Sequence, residues 1–404
     1  MPTSPDTDPL LLPEGTRLLH IGPHKTGTTA VQSALWAARA SLLEQGVRHA
    51  GRSRNPSSAV RAVTEQASPY VEGTPPSMRH WRDLVREIRG AKEPRLVVSS
   101  EFFAWASPEV IGRIVDELDP DRVRIAVTVR PLARIIPSHW QQNIQAGTVV
   151  GLDAWIESLF REPPGRPNPR FWWLQRHDQL IARWADVVGP DRVTAVVVDD
   201  RAHDVVFRAF EHLLGLREGT LVGVRDLANR SLTLPEAEAV RAFNVRFKAE
   251  GFPKALHARL MRFGAAQEMK QREPAADEPR VELPPQALDR VAAAARGIVA
   301  GIEASGVRVI GDLSILAEVP AARPDAVPAG PVAIPPDVAA ALAMGIVAST
   351  GAARDAGTRA PLQFAEPVEL VRVPTYQVIG VVGLRAQAAV LRSLRRIGRV
   401  LRRG

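Results

Sequence analysis

The segment His20-Ile-Gly-Pro-His-Lys-Thr-Gly-Thr-Thr-Ala30 carries the residue types best suited to holding an anion. It follows a short apolar run and precedes a stretch of helical periodicity. Backbone N–H groups and a helix dipole converge at such a junction and attract negative charge. Gly22 and Gly27 permit a tight turn and the close approach of a phosphate. Their spacing matches the first half of a Walker-type loop, G-x-x-x-x-G. The second half differs: Thr28-Thr29 follow Gly27, and the lysine lies inside the loop as Lys25. Only five of the 52 basic residues are lysines, which makes one at this place informative.

Further residue types able to meet an anion lie downstream. Arg130 closes an apolar run, and Ser138 follows it by eight residues in a helical stretch. A guanidinium offers a planar fork for phosphate oxygens, and a serine adds a short hydroxyl donor. Arg134, between them, reads as a solvated helix residue. Glu101 follows the apolar run 95–99, where a carboxylate would stand at the carboxyl end of a strand. His24 lies within the glycine loop, His139 follows Ser138, and His177 sits in an aromatic stretch that reads as packing. His20 and His24 are four apart but flank a strand end and a glycine loop, and no histidine pair stands at i, i+4 on an expected helix, so no metal is expected.

The elements that must position these residues follow from periodicity. Residues 16–22, 95–99, 123–129 and 192–198 read as buried strands. Helices are expected from Thr26, from Ser107-Pro108, over 131–146 and over 202–214. Continuous apolar strands alternating with helices predict an α/β three-layer sandwich around a central parallel sheet. From about 225 to 305 helices take over, clearest at 235–250 and 285–305, which predicts a helical cap. Residues 307–310 read as a short strand or a linker. The expected organisation is a flexible N-terminus at 1–15, one domain at 16–312, a Pro/Ala-rich linker at 313–383 and a basic amphipathic tail at 384–404. Six prolines within 319–337 support the linker.

Composition narrows the function class. The chain has 404 residues, 45% of them apolar and 24% charged, which is globular. The absence of cysteine excludes disulfides, thiolate nucleophiles and Cys-ligated metals. No apolar run approaches the ~18 residues of a membrane span. The acidic start lacks the features of a signal peptide, so a cytoplasmic location is expected. The net charge of +8 resides almost wholly in seven arginines after Leu384, and taking these away leaves +1. The body therefore gives no reason to expect a nucleic-acid partner. In the tail, Leu384, Leu391, Leu394, Ile397 and Leu401 form a stripe against those arginines, a pattern suited to peripheral contact with an anionic membrane face.

The loop Pro23-His-Lys-Thr-Gly-Thr-Thr29 resembles the 5′-phosphosulfate loop of sulfotransferases that use 3′-phosphoadenosine 5′-phosphosulfate (PAPS). Arg130 and Ser138 match the spacing at which that family holds the 3′-phosphate. Ser99-Ser-Glu-Phe-Phe103, the stretch from Arg130 to Gln142 and Asn229-Arg-Ser-Leu232 resemble its bacterial branch. The resemblance covers 16 to about 312 and is strongest in the first 150 residues. It implies a P-loop NTPase-like sulfotransferase fold working without metal, with PAPS as co-substrate. It assigns His24, Lys25, Thr26, Gly27, Thr28 and Thr29 to the 5′-phosphosulfate, Lys25 also stabilising the leaving phosphate. Glu101 becomes the favoured base for an acceptor hydroxyl, with His24 and His139 as rivals. That acceptor is expected to be a carbohydrate or glycolipid. Trp140, Trp172 and Trp173 are candidates for its surface, and Asn229 and Ser231 for closing over the nucleotide. Two other readings stand beside this one. An ATP-dependent P-loop kinase would need a lysine after Gly27 and an acidic magnesium ligand, for which only Asp199-Asp200 lie at a strand end. A non-catalytic nucleotide or polyanion binder would act through the tail.

Overall fold

Six short runs rich in Val, Ile and Leu pair in parallel at the centre of the molecule. The computed structural model describes residues 9–67, 73–161, 170–202, 204–224, 230–320 and 332–350. The expectations for Asn229, for the tail 384–404 and for most of the linker therefore lie outside the described residues. The strands are β1 (Thr16–Ile21), β2 (Val47–His49), β3 (Arg95–Ser99), β4 (Val123–Val129), β5 (Val193–Val197) and β6 (Arg308–Ile310). They run in the order β2-β3-β1-β4-β5-β6, every pair parallel. The short segment around 308 is thus an edge strand on β5. Three-residue β2 is too brief to announce itself by periodicity.

Burial on both faces explains the unbroken apolar strands. On one face Leu18, Val97, Ala126 and Val196 pack against Val31, Leu35, Phe207 and Phe210 of the helices Thr28–Ala37 and Asp204–Leu214. On the other, Leu19, Ile21, Val98, Ile125 and Val127 lie under Trp81, Ile114, Ile181 and Trp184. Those side chains belong to the helices Met78–Gly90, Pro108–Glu117 and His177–Val188. The result is the three-layer α/β sandwich.

The expected cap consists of the helices Leu234–Ala249 and Pro285–Ala304 and the helical run from Lys254 to Gln271. Within that run Ala258–Ala265 is π-helical. Val240, Met261, Val291 and Ile298 belong to the same apolar cluster as the sheet's second face, so the cap shares a core with the sheet.

Two segment assignments need correction. Residues 9–15 are anchored: Leu12 is buried, its amide donates to Leu213 O at 3.1 Å, and Arg95 Nε donates to its carbonyl at 2.7 Å. The apolar run Leu10-Leu11-Leu12 supplies the reason. Within the expected linker, Pro336–Thr350 is a helix with Val338 buried. It crosses the π-helical stretch so closely that a Cβ at Gly345 would lie 2.4 Å from Ala265 Cα. Proline and alanine content concealed it. Among the described residues no helix is long and apolar enough to cross a membrane.

A buried ion cluster holds the cap together. Arg272 Nε donates to Glu236 at 3.1 Å and its Nη1 to Asp337 at 2.5 Å, and its Nη2 donates to Glu278. Glu236, fully buried, also receives Arg230 Nη2 at 2.7 Å. Removing one member of such a cluster leaves buried charge uncompensated. Arg272→Ala is expected to cost about 3 kcal/mol in urea unfolding. Arg272→Lys should recover little, because one ammonium cannot span three carboxylates. An unchanged midpoint in the alanine variant would show that the cluster does not secure the cap.

Candidate functional site

The chain leaves β1 for partners on both sides, β3 and β4, so the strand order reverses there. In open parallel sheets such a point opens a crevice beyond the carboxyl ends of the strands. The glycine loop fills that place. Gly22 is required by contact: an added Cβ would lie 2.0 Å from Thr28 Oγ1, which donates to the Gly22 carbonyl at 3.0 Å. Thr26 Oγ1 donates to Pro23 O at 2.8 Å and contacts Thr128 Oγ1 at 2.9 Å. His20 bridges Thr128 Oγ1 at 3.3 Å and Ser99 Oγ at 2.7 Å. One proton per hydroxyl sets the direction of this chain. With Thr26 donating to Pro23, Thr128 donates to Thr26, His20 Nε2–H to Thr128, and Ser99 to His20 Nδ1. Burial holds the His20 pKa at about 3, so the ring stays neutral. The chain ties β3, β1 and β4 to the loop.

Thr26 and Thr28 are therefore loop braces, both buried, whereas Thr29 is only partly buried. The helix Thr28–Ala37 starts without a side-chain cap and without an acid in its first turn. That leaves its first amides available to a ligand.

Lys25 has φ of 76°, left-handed backbone that costs a lysine ~1–2 kcal/mol. Burial lowers its pKa to about 8, and the charges of Lys270, Arg130 and Arg262 act in the same direction. Among the described residues no carboxylate forms an ion pair with its ammonium. A strained backbone and a desolvated, uncompensated cation together describe a site built for an anion.

On the β4 side, Arg130 Nη1 donates to the Lys25 carbonyl at 3.1 Å and Nη2 to Asp200 Oδ2 at 2.6 Å. Arg130 and Ser138 line one cleft of about 970 Å³, together with Arg134, Asp200, Arg230 and Ser231. Arg130 and Ser138 thus share a cavity, and the glycine loop adjoins it through the Arg130–Lys25 hydrogen bond. Pro137 lies inside the helix Leu132–Gln145 and supplies no N–H, so the Ala133 carbonyl, on the cleft wall, loses its helical donor.

On the β3 side, Glu101 opens a short 3-10 turn, Glu101–Trp105. Asn55 Nδ2 and Gln32 Nε2 donate to its Oε2 at 2.7 and 3.1 Å. Its negative charge acts on His24, whose pKa burial nonetheless lowers. The His24 ring packs edge-on to Phe102 and Trp105, with centroids 5.9 and 6.4 Å away. Lys25 thus stands between an arginine-lined cleft and a carboxylate–histidine–aromatic wall.

Other candidates lie elsewhere. Trp140 is fully buried with Nε1 donating to Val150 O at 3.0 Å, and Trp172 Nε1 donates to Leu159 O at 2.6 Å. Trp173 is exposed beneath Arg183, whose guanidinium lies 3.9 Å from the ring centroid. None of the three lines the cleft. His139 packs against Trp155 and Phe171 with its pKa lowered to about 3, and His177 is buried beside Gln175. Gln32, Asn55 and Trp105 have no spacing that sequence reading would single out, and Asp200, read only as a magnesium ligand, instead pairs with Arg130; only the strand ends bring them together.

No family model and no curated protein matches the chain. Among solved structures, a sulfotransferase from Alicyclobacillus acidocaldarius is similar, with a TM-score of 0.40 and 14% identity. The similarity covers 75% of this chain and 99% of that one.

The site's charge state predicts how it binds a simple anion. Sulfate does not titrate in this range, so any pH dependence belongs to the protein. Sulfate affinity should be level below pH 8 and fall about tenfold per pH unit above it, as Lys25 loses its proton. Folding stability moves the other way: between pH 8 and 10.5 the unfolded chain holds a proton the folded one has released, so this group's contribution rises with pH. Lys25→Gly relieves the left-handed backbone and removes a desolvated charge. It should lose sulfate binding without lowering the urea midpoint. Sulfate binding that survives this change would place the anion elsewhere.

Proposed function

We propose that this protein transfers a sulfuryl group from PAPS to an acceptor hydroxyl. The observation that carries the reading is the Lys25 ammonium: desolvated, without a carboxylate partner among the described residues, and on a residue whose carbonyl accepts from Arg130. Sulfuryl transfer moves a group in line between two oxygens, and negative charge grows on the departing phosphate oxygen. A fixed cation there stabilises the transition state more than the ground state. The loop resemblance adds the identity of the donor.

The residues present fit such a donor. The cleft is large enough for a nucleotide. Arg130 and Ser138 would hold a 3′-phosphate, and Leu232, Val281 and Leu283 give the same cleft apolar wall for a base. The first amides of the helix Thr28–Ala37, with Thr29, would hold the 5′-phosphosulfate. When bound, the donor supplies the sulfuryl group and the phosphate leaving group. Glu101 would receive the acceptor's proton, its Oε2 fixed by Asn55 and Gln32 and its Oε1 left for the hydroxyl. His24 is the alternative base, neutral and adjacent. Phe102 and Trp105 take the place of the three tryptophans as the apolar wall for a carbohydrate or glycolipid acceptor. The seven-arginine tail would bring the protein to an anionic membrane face where lipid-linked hydroxyls lie. For the kinase reading, Asp200 would have to hold magnesium; instead two arginines, Arg130 and Arg134, engage it.

Calorimetry with adenosine 3′,5′-bisphosphate, without magnesium, tests the donor. Micromolar binding is expected, falling at least tenfold in Arg130→Ala, with ATP bound far more weakly. A preference for ATP with magnesium, or no bisphosphate binding, would sink the reading. Glu101→Gln should leave bisphosphate affinity intact and lower turnover by ~100-fold or more. If His24→Asn alone does so, the base is His24.

A further inference from the structure

Both two-point edges of a guanidinium, Nε/Nη2 and Nη1/Nη2, use Nη2. In Arg130, Nη2 is held by Asp200 Oδ2 at 2.6 Å, while Nη1 serves the Lys25 carbonyl. The remaining nitrogen, Nε, is buried and has no hydrogen-bond partner among the described residues. A buried N–H left unsatisfied beside a half-used fork calls for a ligand that completes the edge. Asp200 meets Nη2 alone. An anion with two oxygens would meet Nε and Nη2 together, but it must first take Nη2 from Asp200. All of this lies on the wall of the cleft that Arg130, Arg134, Ser138 and Asp200 share.

The carboxylate has somewhere to go. The same Asp200 Oδ2 is 3.7 Å from Arg134 Nε, and Arg134 is mostly exposed. Breaking the contact with Arg130 therefore leaves Asp200 paired with a solvated arginine rather than stranded as an unpaired charge.

We propose that Asp200 is a displaceable counter-ion on Arg130 that makes the cleft select nucleotides carrying a 3′-phosphate. A phosphate dianion completes the Nε/Nη2 edge and displaces the carboxylate to Arg134. A 3′-hydroxyl offers no charge and cannot compete, so Asp200 keeps the guanidinium and the cleft stays closed to that end of the ligand. Asp200 also repels any phosphate that approaches before it moves, and so lowers the affinity for the right ligand while enforcing discrimination. This inference rests on the donor reading above, with Arg130 as the 3′-phosphate group.

The test is calorimetry of the full chain and of Asp200→Asn with two probes, adenosine 3′,5′-bisphosphate and 5′-AMP. Asparagine keeps the size and a hydrogen bond to Nη2 but removes the competing charge. The expected result is bisphosphate binding at least fivefold tighter in Asp200→Asn, with 5′-AMP changed by less than twofold. Arg134→Ala, which removes the carboxylate's second resting place, should weaken bisphosphate binding in the native background and have less effect in Asp200→Asn. Equal or weaker bisphosphate binding in Asp200→Asn would overturn the inference, since it would make Asp200 a support that orients Arg130. Absence of bisphosphate binding in both proteins would overturn the donor reading itself, and the inference with it.

Discussion

Among the described residues no carboxylate neutralises the charge of Lys25. A lysine with its pKa lowered to about 8, held in left-handed backbone and facing other cations, weakens the fold that contains it. The surrounding structure makes that arrangement stable. The loop is braced from within by Thr26 and Thr28, and from beneath by hydrogen bonds through Thr128 and His20 to Ser99. Those bonds cross three strands, so displacing the loop would disturb the sheet's central polar contacts. Strain at one residue is offset by rigidity in the elements around it.

The parallel sheet converts this local device into a site with two sides. Because β1 lies between β3 and β4, whatever follows each strand is delivered to the flanks of the loop. After β4 comes Arg130, which grips the loop backbone and faces the cleft; after β3 comes Glu101, oriented by two side-chain amides. The cap then covers the β4 side. Arg230 shows how the two are coupled: it lines the cleft, pairs with buried Glu236 and donates to the Lys270 carbonyl at 3.3 Å. Electrostatically Lys270 and Arg262 of the same helical run reach Lys25. The ion cluster around Arg272 therefore does more than hold helices together, since it fixes the side of the cleft that carries the extra positive charge.

Much of the fold was legible because parallel strands buried on both faces leave continuous apolar runs, and four of the six were readable on that ground. Edge strand β2, three residues long, escaped the pattern, and β6 was legible only as a short strand or a linker, because pairing to a neighbour sets both. The helix Pro336–Thr350 was hidden for the opposite reason. Its Pro/Ala/Val/Gly composition reads as low complexity until Gly345 is seen against Ala265. At the site, the glycine loop was readable from residue type and spacing, whereas Arg130 and Ser138 were paired only by the family resemblance; Arg130 adjoins the loop through the Lys25 carbonyl. Of the tryptophans, Trp140 and Trp172 donate to backbone carbonyls while Trp173 is exposed, a difference that residue type does not announce.

The sequence by itself determined which groups could meet an anion. A lysine inside a glycine loop, an uncapped helix start and an arginine at a strand end are local facts, set by residue type and by positions one element apart. Tertiary structure alone decided how those groups are poised. That Lys25 has no carboxylate partner among the described residues while Arg130 has one, that Thr26 and Thr28 spend their hydroxyl protons on the loop, and that Phe102 and Trp105 stand beside His24 all depend on which strand ends become neighbours. Charge compensation, desolvation and hydrogen-bond direction belong to contacts between segments 70 to 110 residues apart, such as Arg130 with Lys25 and with Asp200. No spacing along the chain encodes them, because they arise only when the sheet brings those ends within a few ångströms.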